Sequence, residues 1–309
     1  MNRLWDSIVF PIIQKLHSKS IVEVGSDKAY NTEKLLNYCV ENDAHLTSID
    51  PFPLFDVDEL KNKYGDSFDM VEALSLDVLP DMKDYDTILL DGDHNWYTLF
   101  NELKEIEKNF NQETFPFIFF HDISWPYARR DLYYNPDNIP EEFLNEYSTK
   151  GMYPGESKLL DEGGFNAGMR NAVYENTPKN GVLTGIEDFL NESKLDLTFR
   201  KINAFRGLGM MYAHNDEIDE MIDKIILSSN ITGIMEEYYT KDIIDHNLVM
   251  KKKNDEIKKL KAKNKELSKR NKQLSKKNKE LKNKQKEFLS SKSWKLTKPL
   301  RNISNNFRN

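Results

Sequence analysis

The sequence predicts an α/β fold, a doubly wound and mostly parallel sheet, followed by a C-terminal coiled-coil helix. Three observations carry this. Short apolar runs at 20–25, 46–50, 86–92 and 115–122 alternate with helix-like stretches such as 31–42 and 95–110, as in a parallel sheet covered on both faces. The first run enters a helix through a turn at Gly25. Leu260, Leu267, Leu274 and Leu281 recur every seven residues, with Phe288 at the next step, which keeps one seam facing a partner helix.

Taken in order, residues 1–215 form the α/β domain. Residues 123–182 are rich in Pro, Gly, Tyr and Asn without a sustained period, so they read as a loop-rich insertion, and a long loop after a strand's carboxyl end is usually functional. A helix at 183–193 and strands near 196–206 and 208–213 complete the sheet. Residues 216–249 read as a helical connector, 250–289 as a basic coiled coil about 60 Å long at ~1.5 Å per residue, and 290–309 as a basic aromatic tail. The seam's companion positions are Ile257, Asn264, Asn271, Asn278 and Gln285. Asn at such positions weakens a coiled coil while favouring a two-stranded register. The segment reads as a dimerising rod, or alternatively as a solvated single helix or a disordered basic tail.

The chain has 309 residues, a net charge of −7 and a mean hydropathy of −0.69. The charge divides sharply. Residues 251–309 hold 22 Lys and Arg against five acids, while the first 250 hold 22 basic against 46 acidic side chains. The acidic domain would repel a nucleic acid, which is therefore not the expected substrate. No run offers the roughly 18 apolar residues of a transmembrane helix. The first 19 residues lack a small-residue cleavage site, and Cys39 is the single cysteine. A cytoplasmic protein is expected, with peripheral contact at the inner membrane surface through the tail as an option.

The strand–turn segment Glu23-Val24-Gly25-Ser26 exposes backbone N–H groups where parallel sheets take ligands. A three-glycine dinucleotide fingerprint is absent, which argues against NAD or FAD. Asp50 ends the second strand 25 residues after Gly25, where a carboxylate can accept from ribose hydroxyls. Asp91, Asp93 and His94 follow one strand, and His121 and Asp122 follow the next. Such a group needs a hard cation or has perturbed proton affinities. Asp91, Asp93 and Asp122 are the candidate metal ligands, and His94 and His121 the candidate catalytic bases. Helix capping is the plain alternative for the two acids before 95–103.

EVGSDKAYNT (23–32), LTSIDP (46–51), LLDGDHNWYTLFNEL (89–103) and FFHDI (119–123), in this order and spacing, resemble class I S-adenosylmethionine-dependent methyltransferases of Rossmann-like fold. They are most similar to a branch with a DGDH motif associated with surface-glycan or secondary-metabolite synthesis. WPYARRDLYYNP (125–136), GGFN (163–166) and NGVLTGIEDFL (180–190) are similar to segments of the same enzymes. The resemblance covers residues 1–215. It implies that Glu23, Gly25 and Ser26 contact the methionine part of S-adenosylmethionine and that Asp50 holds its ribose. It places Ser75, Leu76 and Asp77 near the adenine, Asp91 near the cofactor, and magnesium on acids after the fourth and fifth strands. Ala29 stands where the family commonly has glycine, and its methyl is expected to narrow the turn.

A methyl on sulfonium is already activated, so the protein must align an acceptor and take up a proton. Asp and His residues suit a hydroxyl, and O-methylation of a carbohydrate-type or related small molecule is the leading expectation. In the insertion, Trp125, Tyr127, Arg129 and Arg130, with Tyr133 and Tyr134, are candidate acceptor contacts, aromatic faces for a sugar ring and guanidinium forks for an anion; the plain alternative is a packed lid tied down by its aromatics. The alternatives are a nucleotide-sugar glycosyltransferase using Asp91-Gly92-Asp93 as its metal motif, and a catalytically inactive interaction protein. Expected partners are the glycan or small-molecule acceptor and a second copy or partner protein on the rod. SSKSWKLTKPLR (290–301) is similar to a segment closing many cell-surface glycosyltransferases, and its Trp294, Leu296 and Leu300 among Lys and Arg suit an anionic membrane.

Overall fold

The computed structural model describes residues 1–297 together with Pro299. Lys298, Leu300 and Arg301, invoked above for the tail, lie outside the described residues.

Five parallel strands, β1 (Ser20–Val24), β2 (His45–Ile49), β3 (Phe68–Val71), β4 (Thr87–Leu90) and β5 (Phe117–His121), are joined by helices. Two further strands, β8 (Leu197–Ile202) and β9 (Leu208–Ala213), form a hairpin, with β9 antiparallel to β5. The sheet order is β3-β2-β1-β4-β5-β9-β8. It reverses direction between β1 and β4, the place where open α/β sheets leave a crevice for ligands. A small hairpin, β6 (Tyr147–Ser148) with β7 (Asn171–Ala172), lies inside the insertion.

The period-2 geometry of strands sorts the core into two layers. Ile21, Leu46, Leu89, Phe117 and Phe119 face one side and pack with α1 (Phe10–Leu16), α2 (Tyr30–Asn42) and α7 (Asp216–Ser228). Val22, Val24, Ile88, Leu90, Ile118 and Phe120 face the other and pack with α5 (Trp96–Asn109) and α6 (Val182–Glu192). Helix starts follow local chemistry. Asp56 caps α3 (Val57–Tyr64) through Glu59 N–H, Asn95 caps α5 through Thr98 N–H, and Asn215 caps α7. These side-chain oxygens accept N–H groups that a helix end leaves unpaired. The cap of α5 is thus Asn95 rather than an acid of the preceding turn. A single turn, α4 (Ser75–Val78), follows β3.

The chain divides into two compact units, 1–235 and 236–309. Ile222 of α7 is fully buried, and Ile218, Met221 and Ile225 pack on the core, so the folded unit extends past residue 215. The connector is not a separate element. After Asn230, at φ 47°, one helix α8 runs from Ile231 to Ser290 without a break at 250. Its Leu260, Leu267, Leu274, Leu281 and Phe288 are all exposed. In α9 (Lys292–Leu296) the Trp294 ring lies 4.5 Å from that of Phe288. Among the described residues no helix is long and apolar enough to cross a membrane.

Candidate active site

The carboxyl ends of β1, β2, β4 and β5 bring the expected residues to one rim. Gly25, at φ 88°, is where the turns after β1 and β4 touch: a Cβ there would lie 2.4 Å from the Asp91 carbonyl oxygen. Only glycine meets both demands. Asp50 ties the same turn. Its Oδ2 accepts from the N–H of Ser26 (2.9 Å) and of Asp27 (3.0 Å) and from Ser26 Oγ (3.2 Å), and its Oδ1 from Phe52 N–H. Each carboxylate oxygen offers about two lone-pair directions, so Oδ2 is fully engaged in shaping the loop and the free capacity for a hydroxyl is on Oδ1.

Glu23 is buried under this turn, and its Oε2 accepts from Thr32 Oγ1 (2.7 Å) and Ser48 Oγ (2.8 Å). Burial pushes its pKa up to about 7, against these two hydrogen bonds. Ala29 adopts φ 61° and is 1% exposed, in the same apolar cluster as Ile12, Leu35 and Leu36. Its methyl is therefore turned into the core, and the expected narrowing of the turn does not occur.

Asp91, His94, His121 and Asp122 converge, with one ligand-type atom of each within 4.8 Å of all the others. His121 Nδ1 is 3.0 Å from Asp91 Oδ1 and 3.2 Å from Asp122 Oδ2. His94 Nε2 lies 2.7 Å from Asp122 Oδ2 and 3.7 Å from Asp91 Oδ1. Neither His94 contact has hydrogen-bond geometry, so both its ring nitrogens are buried without a hydrogen bond, as is Asp122 Oδ1. Asp122 itself sits at φ 56°, which turns its side chain back toward β4. The α-amino group of Met1 lies 3.6 Å from Asp91 Oδ2.

Burial opposes ionisation throughout this cluster, but opposite charges at contact distance win. Desolvation would raise Asp91 and Asp122, yet His121 and His94 hold both carboxyls below their ordinary values. Desolvation would likewise lower the imidazoles, yet Asp122 holds His94 well above its ordinary value and Asp91 raises His121. The carboxylates thus favour the charged form of both rings, which makes the imidazoles weaker proton acceptors than free histidine.

Asp93 does not join the group. Its Oδ2 accepts from Thr98 Oγ1 at 3.1 Å on the first turn of α5, because Gly92 turns the chain between the two acids. An Asp91–Asp93 metal pair is not formed, and the sugar-nucleotide motif gains no support. Ser75, Leu76 and Asp77 make the turn of α4. The Ser75 hydroxyl donates to Glu102 Oε1, a buried acid whose pKa burial pushes up to about 8.

The insertion departs most from expectation. Arg129 makes a two-pronged pair with Glu187 of α6 at 2.6 and 2.8 Å. Arg130 is 1% exposed, donating to the carbonyls of Ala172 and Ser157. Arg129 thus ties the insertion to α6 at a partly exposed position, whereas Arg130 is buried inside the insertion and is not presented to an acceptor. Tyr127 is also buried, its hydroxyl bonded to Asn166 and Asn171. Trp125 packs 5.5 Å from Phe165, and its indole nitrogen has no hydrogen bond. Tyr134, 49% exposed, is the candidate aromatic of the insertion that stays open beside the cluster. Its ring lies 5.9 Å from His94 on an edge, while Tyr127 packs at 5.6 Å. Nothing in the YY pair distinguishes it from Tyr133, which is buried against Asp131.

No protein-family model and no curated protein matches the sequence. Three solved structures are similar to part of the chain. An SAH-bound methyltransferase from Podospora anserina is 13% identical with a TM-score of 0.40, covering 67% of this chain and 77% of that one. A 1,6-didemethyltoxoflavin-N1-methyltransferase from Burkholderia thailandensis with bound S-adenosylhomocysteine is 10% identical with a TM-score of 0.39, covering 68% and 76%. A sugar N-methyltransferase from Streptoalloteichus sp. is 11% identical with a TM-score of 0.36, covering 69% and 87%. At these TM-scores the likenesses carry no argument about fold or reaction.

Proposed function

We propose that this chain is an S-adenosylmethionine-dependent O-methyltransferase acting on a hydroxyl of a carbohydrate-type or related small-molecule acceptor, with metal assistance. One observation carries the reading. The glycine turn after β1 and the Asp91–His94–His121–Asp122 cluster are in backbone contact at Gly25 and Asp91, so a ligand on the turn lies beside the groups that would handle an acceptor's proton.

In this reading the N–H groups of the turn, Glu23 and Ser26 bind the methionine part, and Asp50 receives the ribose. Methyl transfer forms the acceptor O–CH₃ bond as the S–CH₃ bond breaks, leaving S-adenosylhomocysteine and releasing the hydroxyl's proton to solvent. Alignment and exclusion of water supply most of the acceleration in such a transfer. Tyr134, next to His94, offers the acceptor a ring face. Asp91, His94, His121 and Asp122 have the donor set for a divalent cation, which when bound polarises a hydroxyl and lowers its pKa.

The heptad seam is read as the contact with a second copy, since an identical helix in register places Asn264, Asn271 and Asn278 opposite themselves. The described part of the tail, with Trp294 and Leu296, suits an anionic membrane surface. The test is transfer of labelled methyl from S-adenosylmethionine to a panel of sugars, glycosides and sugar nucleotides. The reading expects labelled acceptor and S-adenosylhomocysteine in equal amounts. Absence of both, or manganese-dependent turnover of a sugar nucleotide alone, overturns it.

A further inference from the structure

The four donor atoms at the ends of β4 and β5 form a closed ring. Its edges are 3.0 Å (Asp91 Oδ1 to His121 Nδ1), 3.2 Å (His121 Nδ1 to Asp122 Oδ2), 2.7 Å (Asp122 Oδ2 to His94 Nε2) and 3.7 Å (His94 Nε2 to Asp91 Oδ1). Ligands held at ~2.0–2.2 Å from a metal stand about 2.8–3.1 Å apart at right angles and about 3.3–3.6 Å apart in a tetrahedron. The ring has the dimensions of a coordination shell. It is less well explained as a hydrogen-bond network, because His94 Nε2 approaches both carboxylates without hydrogen-bond geometry and Asp122 Oδ1 has no partner. Both side chains are at least nine-tenths buried, where an unpaired polar atom is costly.

The donor chemistry selects the ion. Magnesium and calcium take oxygen ligands, whereas imidazole nitrogen suits zinc, iron, cobalt and their neighbours. Half of this ring is imidazole. We propose that Asp91, His94, His121 and Asp122 bind a transition-metal dication of the Fe²⁺, Co²⁺ and Zn²⁺ class in preference to Mg²⁺, with His94 Nε2 and His121 Nδ1 as ligands. The purpose of the ion rests on the methyl-transfer reading, but its geometry does not. An imidazole lone pair given to the metal is unavailable to a proton, so the two histidines serve as ligands instead of the bases expected from sequence.

The full chain is stripped with chelator and titrated with Co²⁺, following its visible ligand-field absorption, then challenged with Zn²⁺ and Mg²⁺. The proposal expects one Co²⁺ per chain, displaced by equimolar Zn²⁺ and retained in about a 100-fold excess of Mg²⁺. Disturbing even an outer-shell partner costs 10–100-fold in metal affinity, so His94→Ala and His121→Ala are each expected to lose more than about tenfold. A measurement on the unaltered protein guards against variants that misfold: the Cu²⁺-loaded chain should show electron-spin couplings to two imidazole nitrogens. No Co²⁺ bands, displacement by Mg²⁺ at comparable concentration, or a Cu²⁺ spectrum without nitrogen coupling overturns the proposal. S-adenosylmethionine binding is measured by calorimetry on the stripped protein. Its failure beside intact Co²⁺ binding removes the methyl-transfer reading and leaves the metal site standing, and the reverse pattern removes the metal site alone.

Discussion

Gly25 and Asp91, 66 positions apart in the chain, are packed so closely that a Cβ on Gly25 would meet the Asp91 carbonyl oxygen at 2.4 Å. Backbone cannot yield as a flexible side chain can, and φ 88° strains any L-residue there. Gly25→Ala is expected to cost about 3 kcal/mol of stability and to abolish S-adenosylmethionine binding in whatever fraction remains folded. Denaturant melts and calorimetry on the same preparation check both halves. A stable variant with unchanged affinity would detach the turn from the ligand site.

The insertion separates residues that hold it together from one that faces outward. Arg130→Ala leaves Glu175 and two carbonyls without their partner, and breaking a buried pair of this kind costs about 3 kcal/mol. Tyr134→Ala removes a half-exposed ring and should change stability by less than ~1 kcal/mol while raising the acceptor KM several-fold. Melts and acceptor saturation curves distinguish them. Loss of acceptor affinity in a normally stable Arg130→Ala would restore the guanidinium to the binding surface.

Glu102 provides a pH signature. Its carboxyl is pushed from 4.5 up to about 8 by burial, so the folded state favours its neutral form. That contribution is complete below the unfolded pKa of 4.5 and is lost as pH rises through 8. Glu102→Gln keeps a neutral side chain at every pH. Near pH 9.5 the variant is expected to be more stable than the parent by about 5 kcal/mol, and the gap should close below pH 5. Urea melts at the two pH values measure it, and a gap that does not change with pH would show that Glu102 ionises freely in the fold.

The exposed heptad leucines predict self-association of the full chain. Replacing Leu267 and Leu274 by Asp is expected to weaken a dimer more than about 100-fold, since each buried Leu contributes 2–5 kcal/mol in a packed site. Sedimentation should then show a dimer becoming a monomer with S-adenosylmethionine affinity unaltered. A full chain that is monomeric at high concentration leaves α8 as a solvated basic helix.

The sheet was largely legible because β1, β2, β4 and β5 are buried on both faces and read as apolar runs. β3 (Phe68–Val71) was not, since Asp69 and the edge position make it short and polar. The rim residues Gly25, Asp50, Asp91 and Asp122 were legible for a topological reason: in a parallel sheet every strand end reaches the same edge. Side-chain direction was not. Gly92 and the N-terminus of α5 decide that His94 turns inward while Asp93 turns to Thr98, and sequence spacing holds no such information. The structural engagement of Arg129 and Arg130 was not legible because their partners, Glu187 and the Ala172 and Ser157 carbonyls, come from segments up to 58 residues away.

The most direct measurement is calorimetric titration of the full chain with S-adenosylmethionine, repeated with Asp50→Ala after its melting curve has shown that it folds. One molecule bound per chain, lost in the variant, is the predicted result, because Asp50 shapes the β1 turn and, in the proposed function, receives the ligand's ribose. A folded parent protein that binds no S-adenosylmethionine, or binds it equally well without the Asp50 carboxylate, would contradict the account.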